Sequence, residues 1–403
     1  MENRNRRQFL KKSIIGLTGA AMVPGTLTSY ASVSASKSTV ANLPARVLGK
    51  TGIRTPLISF GTSGALDTGF IRSAYEAGIK MFFSATYYGE GKNEQIVGAG
   101  LKGLPRDSFI VGTAVPPDGF DNRTGTFPNG FDPDAYIKKA EGSLSRFNLD
   151  YVDFVLFPFA GKRETVLNEG VLKAMGQLKK QGKTRFIGIA SHSDMEEALT
   201  AATDSKVYDV AMISYNYKTR NIYSLNSAVA RAAEAGIGVV AMKTTAGVYN
   251  EKSGVQYNSD AILKWALQNE NISSIVSGMS SLEQLQKNIQ MIKNLKLSEQ
   301  ELKDLNLAGI ESGHGLYCQQ CRQCIPQCPN HLDIPTIMRS YMYAYGYRNA
   351  EQAWHTLADI DLSRNPCGNC ETCKVNCLSS FDVKNKIMDI ARLKDVPEDF
   401  IKT

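Results

Sequence analysis

A (β/α)8 barrel followed by a mainly helical, cysteine-bearing C-terminal domain is the α/β architecture that this sequence predicts, from three observations. Short apolar runs alternate with amphipathic segments from about Arg46 to Gly309, the alternation of a parallel sheet wrapped by helices. Eight such repeats fill a stretch close to the roughly 250 residues typical of these barrels. All eight cysteines lie beyond that stretch, between Cys318 and Cys377.

Composition is consistent with this. The 403 residues are 43% hydrophobic and 21% charged, enough for a real core, which excludes disordered, collagen-like and low-complexity chains. The formal charge is +7, but Arg4, Arg6, Arg7, Lys11 and Lys12 face only Glu2 in the first 35 residues, so over half of the excess sits there. With no other dense Lys/Arg run, nucleic acid is not an expected partner. No apolar run reaches the roughly 20 residues that span a bilayer, so no transmembrane segment is expected.

Residues 1–35 read as a leader and the start of a linker. Asn5-Arg6-Arg7-Gln8-Phe9-Leu10-Lys11-Lys12 precedes a mildly apolar run from Ser13 to Val23, then Pro24. A charged front, a short apolar middle and small residues make a secretory signal; the alternative is a basic tail. The paired arginines followed by Phe-Leu-Lys closely resemble a twin-arginine (Tat) signal, whose pathway exports folded proteins. That resemblance implies a periplasmic or cell-envelope location. Cleavage after Ala31 or Ala35 fits, and so does retention as an anchor; Thr26–Ala41 suits a linker.

Barrel strands are expected at Leu57–Phe60, Met81–Ser84, Phe109–Thr113, Phe154–Phe157, Phe186–Ala190, Val210–Ser214, Gly238–Lys243 and Ser274–Ser277. Helices are expected at Asn93–Leu101, Pro133–Phe147, Val171–Lys180, Met195–Thr203, Leu225–Ala235 and Ala261–Gln268, with Gly78, Gly182 and Gly236 as left-handed stops. A doubly wound sheet is the runner-up, but it would be unusually long without a Gly-rich dinucleotide loop. Such barrels carry their sites at the C-terminal strand ends. There the sequence offers Phe83, Tyr88, Ala114, Phe157, Pro158, His192, Tyr215, Asn216 and Lys243.

In the C-terminal domain, 312–403, Cys318, Cys321, Cys324 and Cys328 form C-x2-C-x2-C-x3-C ahead of Pro329. Cys367, Cys370, Cys373 and Cys377 repeat the spacing, with Leu378 in place of the proline. Three thiolates two residues apart wrap one face of a cubane and leave the fourth free to reach elsewhere. Two tandem copies therefore argue for two 4Fe–4S clusters over disulfides or zinc. In two-cluster ferredoxins the fourth cysteine of each run serves the other cluster. That rule assigns Cys318, Cys321, Cys324 and Cys377 to one cluster and Cys367, Cys370, Cys373 and Cys328 to the other. Helices are expected between the runs at Ile334–Tyr347 and Ala350–Leu357, and His314, His331 and His355 lie near the clusters.

Several segments resemble the aldo/keto reductases in family order: Arg46-Val47-Leu48-Gly49-Lys50-Thr51-Gly52, Ala77-Gly78-Ile79 leading to Tyr88-Gly89, Tyr151-Val152-Asp153, Gly182 to Gly188, Ala241-Met242-Lys243 and Ser277 to Ser281. The resemblance covers Arg46 to Gly309, and a branch of that family carries a dicluster tail; His192 after Ser191 also resembles that branch. The resemblance implies the barrel, an Asp-Tyr-Lys-His catalytic group and a nicotinamide cofactor. Aligned without gaps, the Asp position is Phe83, the Tyr position Tyr88, the Lys position Ala114 and the His position Pro158. The carboxamide positions are Ala190, Ser191 and Met212, and Asn288 matches the adenine contact. A phenol without the lysine is a poor acid at neutral pH. The sequence thus argues against ordinary NADPH-dependent carbonyl reduction. Tyr88, His192 and Lys243 remain as candidate catalytic residues. Their expected partner is either a small organic substrate or a redox protein, the latter if the barrel is a docking body for electron transfer.

Overall fold

The barrel begins with its own plug. In the computed structural model, which describes residues 42–65, 67–247, 257–310, 316–358, 360, 362–363, 366–368 and 370–401, β1 (Ala45–Val47) and β2 (Arg54–Pro56) form an antiparallel hairpin. The leader, Ala31, Ala35 and His314 lie outside the described residues. Leu48 at the hairpin turn is fully buried under the barrel floor. A Cβ on Gly49, whose φ is +51, would stand 2.3 Å from the Gly238 nitrogen, so only glycine lets the hairpin approach this closely. Arg46 then ties the hairpin to the wall, donating to the carbonyls of Leu267 and Ile272 at 2.9 and 2.6 Å.

Eight parallel strands close the barrel in the order β10-β3-β4-β5-β6-β7-β8-β9. They are β3 (Ile58–Gly61), β4 (Met81–Ala85), β5 (Ile110–Ala114), β6 (Val152–Pro158), β7 (Thr184–Ser191), β8 (Val210–Ser214), β9 (Gly238–Met242) and β10 (Ile272–Gly278). All eight expected strands are present, within two residues at each end. They read as near-continuous apolar runs because both faces are covered, as in β6, where all seven residues are buried. Met81, Phe83, Phe154, Leu156, Met212 and Val240 fill the interior.

The surrounding helices are α1 (Thr68–Glu76), α2 (Lys92–Leu101), α3 (Pro133–Phe147), α4 (Arg163–Val166), α5 (Glu169–Lys180), α6 (Met195–Ser205), α7 (Ile222–Glu234), α8 (Ser259–Leu267), α9 (Leu282–Met291) and α10 (Glu299–Ile310). Local chemistry sets their ends. Asp132 caps α3 by accepting from the Asp134 and Ala135 amides, Pro133 stands in the first turn, and Asn148 leaves it left-handed. Gly78, Gly182 and Gly236 all have positive φ just after α1, α5 and α7. No helix among the described residues is long and apolar enough to cross a membrane.

The C-terminal region adds α11 (Ile334–Tyr345), α12 (Ala350–Ala358), α13 (Val383–Ala391) and α14 (Glu398–Ile401). Asp333 caps α11 and Asp382 caps α13. Their apolar faces build a second core, in which Ile337, Leu357, Ile387 and Ile390 are almost fully buried. This region lies on the barrel's C-terminal face. Ala246 of the barrel packs with Leu316, Tyr317 and Met342 of the tail. The backbones nearly touch, since a Cβ on Gly346 would stand 2.9 Å from the Gly247 Cα and 2.7 Å from the Met342 carbonyl. Gly346→Ala should therefore weaken the docked tail by about 1–3 kcal/mol, the usual cost of overpacking. Faster hydrogen exchange across α11, with strands β4–β6 unchanged, is the expected reading.

Candidate functional site

Four strand ends deliver aromatic and cationic groups to one point at the barrel mouth. Tyr87 and Tyr88 follow β4, Phe159 follows β6, His192 follows β7 and Lys243 follows β9. Phe159 and Lys243 both hold left-handed backbone, at φ 62 and 55, a strain that clusters at sites in folded proteins. Phe159 is the hub. Its ring packs at 5.8 Å from Tyr87, 6.5 Å from Phe120 and 6.0 Å from His192. Tyr88 meets Tyr87 edge-on at 5.0 Å.

The tail completes the mouth. The Arg339 guanidinium of α11 lies 5.3 Å over Phe159, and Lys243 Nζ lies 4.5 Å from the Tyr343 ring and 5.6 Å from that of Tyr347. Tyr317 is buried with its hydroxyl beside Asn216, Ser214 and Thr219. Gln319 donates to the Lys218 carbonyl at 2.8 Å, and Arg220 donates to the Leu378 carbonyl at 2.9 Å. The loop from Pro116 to Phe131 is pinned by Phe120 and Phe127 against Phe157.

The remaining strand-end residues take other roles. Phe83 stacks on Phe154 inside the barrel at 6.0 Å, and Ala114 and Pro158 are buried at strand ends. Tyr215 faces outward, stacked on Trp265 at 5.3 Å with its hydroxyl 2.7 Å from Asn226 Oδ1. Asn288 donates to Ser277 Oγ at 3.3 Å. Sequence reasoning missed Arg339, Tyr343 and Tyr347. Their signal was the run Arg339-Ser340-Tyr341-Met342-Tyr343-Ala344-Tyr345-Gly346-Tyr347, whose four tyrosines make it too aromatic for a plain packing helix.

Electrostatics set the protonation of this cluster. Burial, reinforced by Tyr87 and Tyr343, holds the Tyr88 phenol well above its ordinary range, so it is a weak acid here. Burial would also raise Tyr343, but Lys243 and Arg339 more than offset it and bring that phenol below its usual value. Burial, then the fields of Lys243 and Arg339, keep the His192 imidazole well below the ordinary histidine range. Neither of its ring nitrogens meets a hydrogen-bond partner or solvent among the described residues.

The cysteines form two groups. One small cavity is lined by Cys318, Cys321, Cys324 and Cys377, with Met338 and Phe381. A second is lined by Cys328, Cys367, Cys370 and Cys373, with Lys374 and Ile387. Ile334 and Val383 border both. All eight thiols are free, and each group keeps one exposed member, Cys321 or Cys373. Burial pushes the Cys318 and Cys324 thiols up to about 12 and raises Cys367, so these sulfurs ionise only when a cation binds them. Among the described residues no three His, Cys, Asp or Glu side chains are arranged to hold a metal ion. A cubane takes its thiolates on separate corners, a wider spread than the shell of one ion held by sulfurs at about 2.3 Å. His331 is exposed, and His355 Nε2 lies 3.9 Å from Glu351.

Comparison with known proteins places the barrel. Residues 61–260 match the aldo/keto reductase family. An L-galactose dehydrogenase of Arabidopsis thaliana is 28% identical over 296 residues, covering 62% of this chain and 88% of its own. An L-glyceraldehyde 3-phosphate reductase of Escherichia coli K12 is 24% identical over 321 residues, covering 65% and 91%. Among solved structures, an aldo-keto reductase of Bacillus halodurans in its holo form superposes with a TM-score of 0.54 at 22% identity, covering 66% of this chain and 96% of its own. One from Klebsiella pneumoniae in complex with NADPH gives 0.51 at 22%, covering 66% and 95%. Residues 61–260 of the barrel therefore resemble the aldo/keto reductase family.

The buried imidazole gives a pH signature. Below the unperturbed histidine pKa of about 6.5, the unfolded chain takes up a proton that folded His192 refuses, so stability falls with falling pH. Urea midpoints measured from pH 7 to pH 5 should therefore drop less for His192→Gln than for the wild type. Equal slopes would mean that the folded ring protonates freely.

Proposed function

We propose that this chain is an exported oxidoreductase of the aldo/keto reductase type, in which two 4Fe–4S clusters pass single electrons to or from the barrel mouth. The observation that carries this reading is the convergence of the cysteines on two adjacent cavities, within the same helical region that covers the mouth. Cys318, Cys321, Cys324 and Cys377 would hold one cluster, and Cys367, Cys370, Cys373 and Cys328 the other. Such a cluster stores one electron at a potential set by hydrogen bonds to its sulfurs and by burial. This chain offers both. The Gln320 amide points at Cys318 Sγ from 3.4 Å, and Asn330 Nδ2 lies 3.8 Å from Cys370 Sγ.

The first group abuts the barrel. Gln320 also accepts from Arg339 at 3.5 Å, and Arg322 reaches Asp194 and the Asn122 carbonyl, both at 3.4 Å. Polar neighbours of the second group stay within the tail, as where Lys384 donates to the Cys370 carbonyl at 2.6 Å. The order mouth, first group, second group, external partner follows from that placement.

The residues present do not fit the nicotinamide half of NADPH, which the Klebsiella structure contains. Phe83, Ala114 and Pro158 stand where the family pattern has its catalytic Asp, Lys and His, and Arg339 and Tyr343 occupy the mouth. Hydride transfer also moves two electrons where a cluster takes one. Nicotinamide-dependent carbonyl reduction is therefore not part of this proposal. The same three residues favour the second reading, a barrel without catalysis that docks the dicluster tail into a larger redox complex.

Anaerobically purified protein should contain about eight iron and eight sulfide per chain, and the reduced form should show two interacting paramagnets. Cys328→Ser should damage the cluster of the later run and leave the Cys318 cluster intact. Zinc or four disulfides without iron would reject the clusters.

Export rests on the leader alone, where Arg6-Arg7 precedes Phe9-Leu10-Lys11. Clusters are assembled inside the cell, so a folded-protein route suits a cluster-bearing cargo. The double change Arg6→Lys, Arg7→Lys should leave folded, brown protein in the cytoplasm. Unchanged secretion would point to a route for unfolded chains.

A further inference from the structure

The barrel mouth gathers two cations without a carboxylate. Arg339 is only 8% exposed, and among the described residues neither it nor Lys243 has an acidic group within salt-bridge distance. Arg339 donates only to Gln320 Oε1 at 3.5 Å and Thr336 Oγ1 at 3.4 Å, both long, so most of the five guanidinium donors are unspent. A charge taken out of water costs several kcal/mol unless it is paired. The rings of Phe159 and Tyr343 return only part of that cost as cation–π contacts, which leaves a deficit.

The neighbours point the same way. The two cations favour negative charge on oxygen strongly enough to bring the buried Tyr343 phenol down. His192, whose ring nitrogens have no partner among the described residues, offers one donor and one acceptor at the same point. An Arg fork beside an ammonium is the chemistry that recognises a carboxylate, and the rings around it suit a flat or apolar body better than inorganic phosphate.

We propose that the tail-covered mouth binds a small organic carboxylate, held by Arg339 and Lys243 with its body against Phe159 and Tyr343. This rests on reading the mouth as the barrel's ligand site and does not require the clusters. Because Arg339 comes from α11, a carboxylate would bind only while the tail is docked.

The test is calorimetric titration of the full-length, iron-loaded chain with benzoate and pyruvate, against benzamide, pyruvamide and inorganic phosphate. At least one carboxylate should bind, with its amide weaker by about tenfold or more. Arg339→Gln and Lys243→Met should each weaken that carboxylate by a similar factor at unchanged iron content. Should Arg339→Gln fail to fold, Lys243→Met and the acid–amide pair still decide. Equal binding of acid and amide, binding of phosphate alone, or no binding by either acid overturns the proposal. Anaerobically purified protein that holds no iron yet binds the carboxylate would overturn the electron-transfer reading while supporting this site, so the two fail separately.

Discussion

The seating of α11 on the barrel mouth is the contact on which the rest of the molecule depends. A parallel barrel leaves its C-terminal end open, and among the described residues the tail covers it. The tail does so through a backbone approach at Gly247 and Gly346, an apolar patch around Met342, and two cation–π contacts in opposite directions. Lys243 reaches out of the barrel onto Tyr343, while Arg339 reaches in from the helix onto Phe159. The same helix then borders the first cysteine cavity through Pro335 and Met338. One element thus shapes the mouth on one side and a cysteine group on the other.

The distribution of charge follows the same logic. Inside the barrel Phe83 stacks on Phe154 and Ala114 is buried, so the described interior at these strand ends is apolar. Positive charge reappears higher up, on Lys243 and on Arg339 from the tail. The mouth remains cationic, but its charge now depends on two parts of the chain being docked. Tyr88 is buried beside Tyr87 and Tyr343, which leaves its proton tightly held.

Much of this was legible in the sequence, for physical reasons. Strands buried on both faces write themselves as apolar runs, so β8 was placed to the residue and the others nearly so. The cysteine spacing marked two groups of four, and the fold lines one cavity with each group. Helices α1, α4, α9, α10, α13 and α14 have no counterpart among the expected elements; α4 and α14 are single turns, and the polar faces of the longer ones blur the pattern. The mouth was legible only in half. His192 and Lys243 follow strands and can be found by counting repeats. Arg339 and Tyr343 sit about 100 residues downstream of Lys243, and only tertiary packing brings them there.

Closure at both ends also raises the cost of leaving polar groups at the mouth unpaired. The hairpin seals the floor with Leu48 and Gly49, and the tail covers the top, so the interior behaves as a low-dielectric medium. In such a medium an unpaired cation is costly and a complementary anion is bound strongly. A mouth built for neutral carbonyls would gain nothing from Arg339, whereas a mouth that receives a charged ligand gains affinity from every water molecule the tail excludes. Covering the site and charging it are therefore one adaptation, and removing either would leave the other without a physical purpose.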